Sequence, residues 1–513
     1  MSEVIQAGTK LRDIIRDGRV AGEHHPWPRA LVSRESWRQA ALLLCSGEFT
    51  LLGLWGERTH VHMALMDEGQ NDCAVLSVAC EDNRFPSVGA LHPAAIRLER
   101  AIRDLWGLEP QGLADSRAWL DHGKWNPPHP SGAAPGALRS PAPYAFLPAE
   151  GESMHQIPVG PVHAGIIEPG HFRFTANGEV VVRLEERLGY VHKGIEWLMA
   201  GGSIDRAAVL AGRVSGDSTV AYALAFSRAI EAAHGIEVPL RAVWLRALMS
   251  ELERLANHFG DIGAICNDAA FAMMHAQCGY LREQVLRVAD QCFGHRLMMD
   301  RVLPGGARSD LHNAGNELIR ALLSEIGRRF PELVELYDNT ASLQDRTVGT
   351  GILSPALARQ FGCGGYIGRA SGRSFDARRT PGYPPYDALR FDIPVLEDGG
   401  VDARIYIRIR EVEQSLLLID QILQQLPPGP ILNAPETLCA THAHEGMALV
   451  EGFRGDVLVW LRTGPDGNLE RCHLRDPSWF QWPLLEAAIE GNIVADFPLC
   501  NKSFNCSYSG HDL

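Results

Sequence analysis

Residues 203–233 read SIDRAAVLAGRVSGDSTVAYALAFSRAIEAA, and this stretch decides the fold class. Its apolar residues recur every three or four positions, which predicts a helix with one apolar face, and Ser203 can cap its first turn. The same spacing recurs in four later stretches, 240–259, 280–300, 318–336 and 405–426. Because Pro331 lacks a backbone donor, we expect it to kink or break the third of these. The pattern predicts a large, mainly helical domain.

Shorter apolar runs precede these helices and predict small sheets. Residues 171–174 and 180–184 flank Asn177-Gly178, a pair typical of a tight hairpin. Nearer the N-terminus, three strand-like runs and one helical run predict a small α+β domain: 49–55, 61–66, 74–79 and 93–108. The predicted fold class is therefore α+β, with a small α+β N-terminal domain joined to a large, mainly helical domain that carries small peripheral sheets.

A proline-rich segment separates the two predicted domains. Seven prolines lie between Pro127 and Pro148. Residues without a backbone donor sustain neither helix nor sheet at this density, so the segment is a semi-rigid linker. We predict three units: residues 1–123, a linker over 124–151, and residues 152–513.

The composition excludes several protein classes. The chain has 513 residues, of which 46% are hydrophobic and 21% charged, and a formal net charge of −14. These values are typical of a globular protein, and the acidic balance argues against a nucleic-acid binder. No stretch suggests a transmembrane helix, and the N-terminus does not resemble a secretory signal. The 11 cysteines are scattered without a Cys-x-x-Cys pair, which favours reduced thiols in the cytoplasm.

Taken one by one, few polar residues point to chemistry. Taken alone, a histidine such as His163 is more often a surface or packed residue than a ligand. Asp268 lies in a mostly apolar stretch, 262–274, where a buried carboxylate needs a partner or a raised pKa. Charged residues in 240–259 favour a solvated helix face with ion pairs: Arg246, Glu251, Glu253 and Arg254. A later loop is either solvated and basic or a surface for an acidic partner: Arg369, Arg373, Arg378 and Arg379.

Short motifs follow one another in a fixed order: GPVH at 160–163, EPGHFRF at 168–174, GYVHKG at 189–194, ELER at 251–254 with Asn257-His258, and PGG at 304–306. This series resembles the large subunit of membrane-bound, energy-converting NiFe hydrogenases (group 4, the formate hydrogenlyase and hydrogenase-4 type). It is equally similar to the D subunit of respiratory complex I. Three further motifs, FPSV, PAA and DLWG within 85–107, resemble the C subunit of complex I. RDPSW at 475–479 and NKSFNC at 501–506 complete the match to a C–D fusion.

The metal-ligand positions of this family are degenerate in this chain. The hydrogenases hold nickel and iron with four thiolates, in Arg-x-Cys-Gly-x-Cys-x-x-x-His and Asp-Pro-Cys-x-x-Cys. The matching cofactor-site positions here are Arg213, Ser215, Ser218, Tyr222, Ser503 and Cys506. Three of the four thiolates are replaced by hydroxyls, which stay protonated at neutral pH and bind such metals poorly. We therefore expect no NiFe centre and no other metal bound by this chain.

The resemblance also implies catalytic residues. Glu168 matches a proton-conducting carboxylate of the hydrogenases. Asp268 matches the aspartate that pairs with a quinone-site histidine in complex I. The position of that histidine falls near Ile167, and His163 lies one turn away.

The function implied is that of a subunit in a membrane-associated, complex I-like oxidoreductase related to NADH dehydrogenases and energy-converting hydrogenases. The chain would shape a cavity beside a partner's 4Fe-4S cluster, couple electron transfer to proton or ion movement, and admit a quinone. Implied partners are a small iron–sulfur subunit similar to the B subunit of complex I, a ferredoxin-like subunit and membrane-arm subunits. These partners would hold it on the cytoplasmic side of the inner membrane. Two alternatives stay open: an active NiFe hydrogenase large subunit, and a non-catalytic scaffold between the cluster subunit and the membrane arm.

Overall fold

The structure, a computed structural model, describes residues 10–126, 128–132, 143–433 and 441–513. The centre of the predicted linker, residues 133–142, lies outside the described residues. The strands are β1 (Arg19–Ala21), β2 (His24–His25), β3 (Arg29–Leu31), β4 (Thr50–Gly56), β5 (His60–Asp67), β6 (Asp72–Ala79), β7 (Arg84–Pro86), β8 (Glu109–Gln111), β9 (Met154–Val159), β10 (His171–Asn177), β11 (Val180–Arg187), β12 (Val302–Leu303), β13 (Gly306–Ala307), β14 (His444–Gly452), β15 (Gly455–Thr463) and β16 (Leu469–Arg475). The helices are α1 (Leu11–Arg16), α2 (Arg34–Cys45), α3 (Ile96–Trp106), α4 (Ile195–Met199), α5 (Ile204–Ala211), α6 (Thr219–His234), α7 (Leu240–Asp268), α8 (Ala272–Phe293), α9 (Asn313–Asp338), α10 (Ala341–Thr347), α11 (Pro355–Gln360), α12 (Gly365–Ala370), α13 (Val401–Gln425), α14 (Ser478–Ala488), α15 (Phe497–Phe504) and α16 (Tyr508–Asp512).

The N-terminal part is an α+β layer, as predicted. Its main sheet has the order β1-β3-β6-β5-β4, in which β4, β5 and β6 are antiparallel neighbours and β3 runs parallel to β6. The three predicted strands are confirmed as β4, β5 and β6, and the predicted helix as α3. α2 and α3 pack against this sheet because each has a buried apolar face.

The hairpin predicted at Asn177-Gly178 is confirmed. β10 and β11 pair antiparallel, with His171 opposite Arg187, and β9 adds a third strand on the other side of β10. This small sheet carries the loop 160–170, which contains His163 and Glu168, at its edge.

A second sheet, of order β16-β15-β14-β2, joins the two parts of the chain. The sequence did not reveal β14–β16, because these strands are buried on both faces and lack an apolar–polar alternation. One face packs on α6, while the other meets the N-terminal sheet through Trp55, Leu458 and Trp460. Arg29 adds a bidentate ion pair with Glu445 at 2.6 and 2.9 Å. The N-terminal and large parts therefore share one packed interface.

The large part is built around α7, which packs against α8, α13 and α15. The helices predicted in 240–259, 280–300, 318–336 and 405–426 correspond to α7, α8, α9 and α13. α9 continues through Pro331 to Asp338, so the proline removes one backbone donor without ending the helix. None of the helices in the described ranges is both long and apolar enough to cross a membrane.

The stretch 203–233 forms two helices, so its prediction as one helix is wrong. Ser203 caps α5 as expected, but α5 ends at Ala211 and α6 begins only at Thr219. The first backbone N–H groups of α6, on Val220 and Ala221, donate to the Glu253 carboxylate at 2.7 and 3.1 Å. Because a tertiary partner satisfies these donors, the chain can leave the helix between the two segments.

His92, which precedes Pro93 in the N-terminal part, makes the fold sensitive to acid. Burial lowers its pKa to about 4, and among the described residues neither ring nitrogen has a hydrogen-bond partner. An unfolded histidine titrates near pH 6.5, so the unfolded chain binds more protons between about pH 6.5 and pH 4. Stability contributed by neutral His92 therefore falls as the pH falls through that window.

The substitution His92→Leu is expected to remove this acid sensitivity. Relative to the unchanged chain, it should recover about 2 kcal/mol of the stability lost between about pH 7 and pH 5. Urea unfolding of the full chain at both pH values measures the difference. The exposed His155→Leu serves as control and should change nothing. Equal acid sensitivity in His92→Leu and the unchanged chain would show that His92 is not the cause.

Candidate functional site

The two degenerate motifs meet in the interior of the large part. Residues 212–218 form the loop between α5 and α6, and residues 505–507 form the bend between α15 and α16. Asn505 takes a left-handed φ of 45°, which ends α15 and turns the chain. Ser507, the residue after the second motif, places its Oγ 3.3 Å from Ser215 Oγ of the first motif.

Arg454, in the turn between β14 and β15, links the two motifs. Its Nη1 and Nη2 donate to the two carboxylate oxygens of Asp217 at 2.9 and 2.5 Å. Its Nε donates to the Asn505 carbonyl at 2.6 Å. Gly365 lies against this turn with a φ of 67°, and a Cβ there would collide with the Arg454 carbonyl. The guanidinium is therefore held between the motifs by contacts on both sides.

The three serines at the ligand positions are already hydrogen-bonded. Ser215 and Ser218 donate to Asp217 Oδ1 at 2.6 and 3.3 Å. Ser503 donates to the Cys500 carbonyl at 2.6 Å and accepts from Arg404 Nε at 2.9 Å. Each hydroxyl thus serves a structural contact.

Tyr222 and Cys506 complete the set of motif positions. The Tyr222 hydroxyl donates to Asp476 Oδ2 at 2.6 Å, and burial beside that carboxylate raises the pKa of Tyr222 well above its usual range. Burial, with a contribution from Glu186, likewise raises the pKa of the Cys506 thiol. Both groups are therefore neutral at physiological pH.

This donor set does not suit a thiolate-bound NiFe centre. Nickel and low-valent iron in such a site require soft thiolate ligands. The four positions offer one thiol and three engaged hydroxyls, and Arg454 already places a positive charge beside them. The site is instead a group of polar side chains around an ion pair, which we call the Arg454–Asp217 site.

Two carboxyl groups at the Arg454–Asp217 site, those of Asp217 and Glu253, have pKa values that lie far apart. Although burial would raise it, Arg454 holds the pKa of Asp217 at about 2. Burial, with Asp217 adding repulsion, raises the pKa of Glu253 to about 8. One carboxyl is therefore ionised at neutral pH and its neighbour is able to hold a proton, which is the division of roles that proton transfer needs.

His163 and Glu168 lie together on the loop that follows β9. His163 Nε2 lies 2.7 Å from the Gly170 carbonyl, to which it donates. Glu168 is exposed and accepts from the Ser509 backbone N–H at 3.2 Å. The same loop exposes Val162 and Ile166, at 75% and 84%. The loop therefore presents apolar side chains and a carboxylate to whatever lies outside it.

Asp268 is the last residue of α7 and is partly buried. Desolvation raises its pKa, while the charges of Lys502 and His275 act in the opposite direction. Within the described part of the chain, no hydrogen bond or ion pair joins Asp268 to His163. Of the two cations that lower its pKa, Lys502, on α15 of the second motif, has the larger effect.

Arg213 makes its ion pair outside the Arg454–Asp217 site. Its guanidinium makes a bidentate pair with Asp300 at 2.9 and 2.7 Å, with about a third of each side chain exposed. The structure therefore brings Ser215 and Ser218 to the Arg454–Asp217 pair. Ser503 instead contacts Arg404, and Arg213 contacts Asp300.

Two expectations about charged residues are wrong. Glu251, Glu253 and Arg254 on α7 are buried, with Arg246, and do not form a solvated face. Arg369, Arg373 and Arg378 are also buried, and of these four arginines Arg379 alone is exposed. These groups can be buried because carboxylates and backbone carbonyls surround them.

Sequence reasoning did not assign Asp217, Glu253 or Arg454 to the site, and it placed Glu253 on a solvated helix face. Asp217 lies in GRVSGDST (212–219), a polar stretch that gave no signal of an ion pair. The cation of that pair is 237 positions away in the chain, so only the fold could reveal it.

Comparison with known proteins gives matches to two families. Residues 23–132 match the family described as respiratory-chain NADH dehydrogenase, 30 Kd subunit, and residues 268–448 match the 49 Kd subunit family. The chain is 33% identical over 463 residues to formate hydrogenlyase subunit 5 of Escherichia coli (strain K12), covering 87% of this chain and 80% of that protein. It is 30% identical over 355 residues to the D subunit of NADH-quinone oxidoreductase from Syntrophobacter fumaroxidans, covering 69% of this chain and 95% of that protein.

A solved structure shares the fold. It is a chain of the membrane-bound sulfane sulfur reductase, an archaeal respiratory membrane complex. The two superimpose with a TM-score of 0.66 at 25% sequence identity, over 71% of this chain and 99% of that one.

Proposed function

Because this chain belongs to the family that unites formate hydrogenlyase-type large subunits with the D subunit of complex I, fused to a 30 Kd-subunit-like part, we propose that it couples electron transfer to proton movement without a NiFe centre. It is an oxidoreductase subunit of the complex I-like, energy-converting type, and its relatives belong to multi-subunit membrane complexes. The proposal places the Arg454–Asp217 site beside a 4Fe-4S cluster of a partner subunit.

The observation that carries this proposal is the ion pair itself. Arg454 and Asp217 lie between the two motifs that hold metal in the hydrogenases, with contacts of 2.9 and 2.5 Å. When the charge of a nearby cluster changes, a guanidinium and a carboxylate change only their own proton affinity and that of neighbouring groups. A metal site would respond differently.

The residues of the Arg454–Asp217 site supply a proton-holding step. With its pKa raised to about 8, Glu253 is mostly protonated at neutral pH while Asp217 is ionised. A reduced neighbouring cluster adds negative charge and strengthens the hold of Glu253 on its proton, and reoxidation of the cluster weakens that hold and favours release. Glu168 and Asp268 would then connect the site to the outside, Glu168 from the exposed loop and Asp268 from the end of α7.

We propose that partner subunits and a quinone bind at the apolar loop that follows β9. The exposed Val162 and Ile166 offer an apolar contact of the kind that a partner subunit or a quinone would cover. We place the small iron–sulfur subunit and the membrane arm on this side, with a ferredoxin-like subunit delivering electrons. The chain would then lie on the cytoplasmic side of the inner membrane.

Metal content tests the proposal directly. The purified complex, washed with chelator, is expected to contain no stoichiometric nickel and to show no hydrogen uptake or evolution. Elemental analysis of the intact complex measures the first, and a hydrogen electrode the second. A hydrogenase with all four cysteines, carried through the same wash, is the positive control. About one nickel per chain would overturn the proposal and restore the hydrogenase alternative.

A further inference from the structure

A second group of buried charges lies where α7, α13, β14 and the segment 365–378 meet. It is separate from the Arg454–Asp217 site. Its side chains are at most 2% exposed. The members of this group, which we call the core ion cluster, are Glu251, Arg254, His258, Arg369, Asp376, Arg378, Glu411 and Glu451.

Arg369 is the centre of the core ion cluster. Its Nε donates to Glu411 Oε1 at 2.8 Å, and its Nη1 donates to Glu451 Oε1 at 2.9 Å. The same Nη1 lies 3.4 Å from Asp376 Oδ2. Glu451 and Asp376 therefore share one guanidinium nitrogen.

The other carboxylates have stronger cationic support than Glu451. Asp376 accepts from Arg378 Nε and Nη2 at 3.0 and 2.7 Å. Glu411 has Arg369 on one oxygen and His258 Nε2 on the other, at 2.7 Å. Glu251 receives Arg378 at 3.0 Å and Arg254 at 3.3 Å, together with two hydroxyls.

The charges of the core ion cluster do not balance. Within ion-pair distance, four carboxylates face three guanidiniums. Of the neighbouring cations, Arg408 is paired with Asp261 and Arg475 with Asp456, while Arg228 lies over the Tyr383 ring outside the cluster. An uncompensated charge in the interior is costly, so one proton would neutralise the cluster. His258 is a poor seat for it, because burial lowers its pKa.

We propose that the core ion cluster is a proton-binding site that holds one exchangeable proton on Glu451. Among the residues that the structure describes, Glu451 Oε1 has a single guanidinium contact and Oε2 accepts only the Ala377 backbone N–H, at 3.0 Å. It is thus the least compensated carboxylate. The ligand of this site is the proton, and the proposal needs only the residues of this chain.

The groups facing Glu451 support this assignment from every side. Burial and the negative charge of Asp376 raise the pKa of Glu451 to about 7, while Arg369 and Arg254 oppose them, and Asp456 adds a further negative charge. Tyr383 accepts from the Glu451 backbone N–H through its hydroxyl oxygen, and Arg228 lies over the Tyr383 ring.

Glu451 is close in sequence to Arg454 of the Arg454–Asp217 site. Glu451 lies three residues before Arg454, and Arg254 fixes the intervening turn by donating to the Glu451 and Gly452 carbonyls at 2.9 and 3.0 Å. Loading or loss of the proton therefore changes the charge next to the turn that positions Arg454.

Infrared titration of the full chain tests the proposal. The protonated-carboxyl absorption is expected to include a component with a midpoint near pH 7, and Glu451→Gln should remove that component between about pH 5 and pH 9. The matched control is Glu445→Gln on the same strand, whose charge is met by Arg29 and which should leave the component in place. Identical titrations of the unchanged chain and Glu451→Gln would overturn the proposal.

Folding of the variant provides a second readout. Glutamine mimics a protonated carboxyl, so Glu451→Gln should unfold at the same urea concentration as the unchanged chain near pH 6, whereas Glu411→Gln should unfold at a lower one. Failure of Glu451→Gln to fold, while Glu445→Gln folds, would mean that the native state needs an ionised Glu451 and would overturn the proposal.

Discussion

Replacing Arg454 with methionine is expected to lower the free energy of unfolding by about 3 kcal/mol. The methionine keeps most of the side-chain volume but removes the cation, so Asp217 is left without its bidentate partner. The expected loss is at the lower end of the range for broken buried pairs, because about a third of the Asp217 side chain is exposed and water can reach it. Urea unfolding of the purified chain measures it.

Two variants separate this ion pair from a general effect of losing an arginine. Arg410→Met removes a pair with Glu413 that is exposed on both sides, so it should cost less than about 1 kcal/mol. Adding Asp217→Asn to Arg454→Met should recover part of the loss, since the unpaired charge disappears. A loss below about 1 kcal/mol in Arg454→Met alone would contradict the role given to this pair.

The pH range of the effect follows from the lowered pKa of Asp217. Because the folded value is about 2 and the unfolded value about 3.9, the pair contributes fully above the unfolded value. Its contribution is lost as the pH falls towards the folded value. The difference between Arg454→Met and the unchanged chain should therefore be constant at neutral pH and shrink only in strong acid.

Local pattern was sufficient for much of the fold. The Asn177-Gly178 pair, the strands β4, β5 and β6 and the long helices α7 and α13 all follow from short-range periodicity and turn chemistry. The order of motifs was sufficient for the family. These features were accessible because each depends on residues close together in the chain.

The remaining features depend on residues that are far apart. α5 and α6 separate because Glu253, from another helix, satisfies the first donors of α6. Arg369 looks like a surface residue in the sequence and is buried because Glu411 and Glu451 come to it from α13 and β14. Charge in a sequence indicates exposure only when no opposite charge folds against it.

The motif degeneracy shows the same limit within the site. The loss of three thiolates could be read directly from positions 215, 218 and 503. What took their place could not, since the partner of Asp217 lies 237 residues away. A sequence therefore indicates which chemistry a family member has lost more readily than which chemistry has replaced it.

Asp268→Asn is expected to lower proton movement coupled to electron transfer by about a hundredfold or more, with normal yield of the complex. Asparagine keeps the shape of the side chain at the end of α7 but cannot take up a proton. Burial raises the pKa of Asp268 and Lys502 lowers it, so its proton affinity depends on the charge of the neighbouring second motif. Glu168→Gln should act in the same direction from the exposed loop. Proton uptake by sealed vesicles carrying the complex, driven by a reduced viologen, measures the coupling.

The yield of assembled complex decides between a proton-conducting and a structural role for these carboxylates. A structural carboxylate would lower the yield when it is replaced, because its hydrogen-bonding partners would be left unsatisfied. Asp290→Asn, at an exposed position on α8, is the matched control and should change neither yield nor proton uptake. Normal coupled proton uptake in both Asp268→Asn and Glu168→Gln would remove the coupling role from this chain. The scaffold alternative would then be favoured, because the exposed Val162 and Ile166 would still provide a docking surface without any proton path beside it.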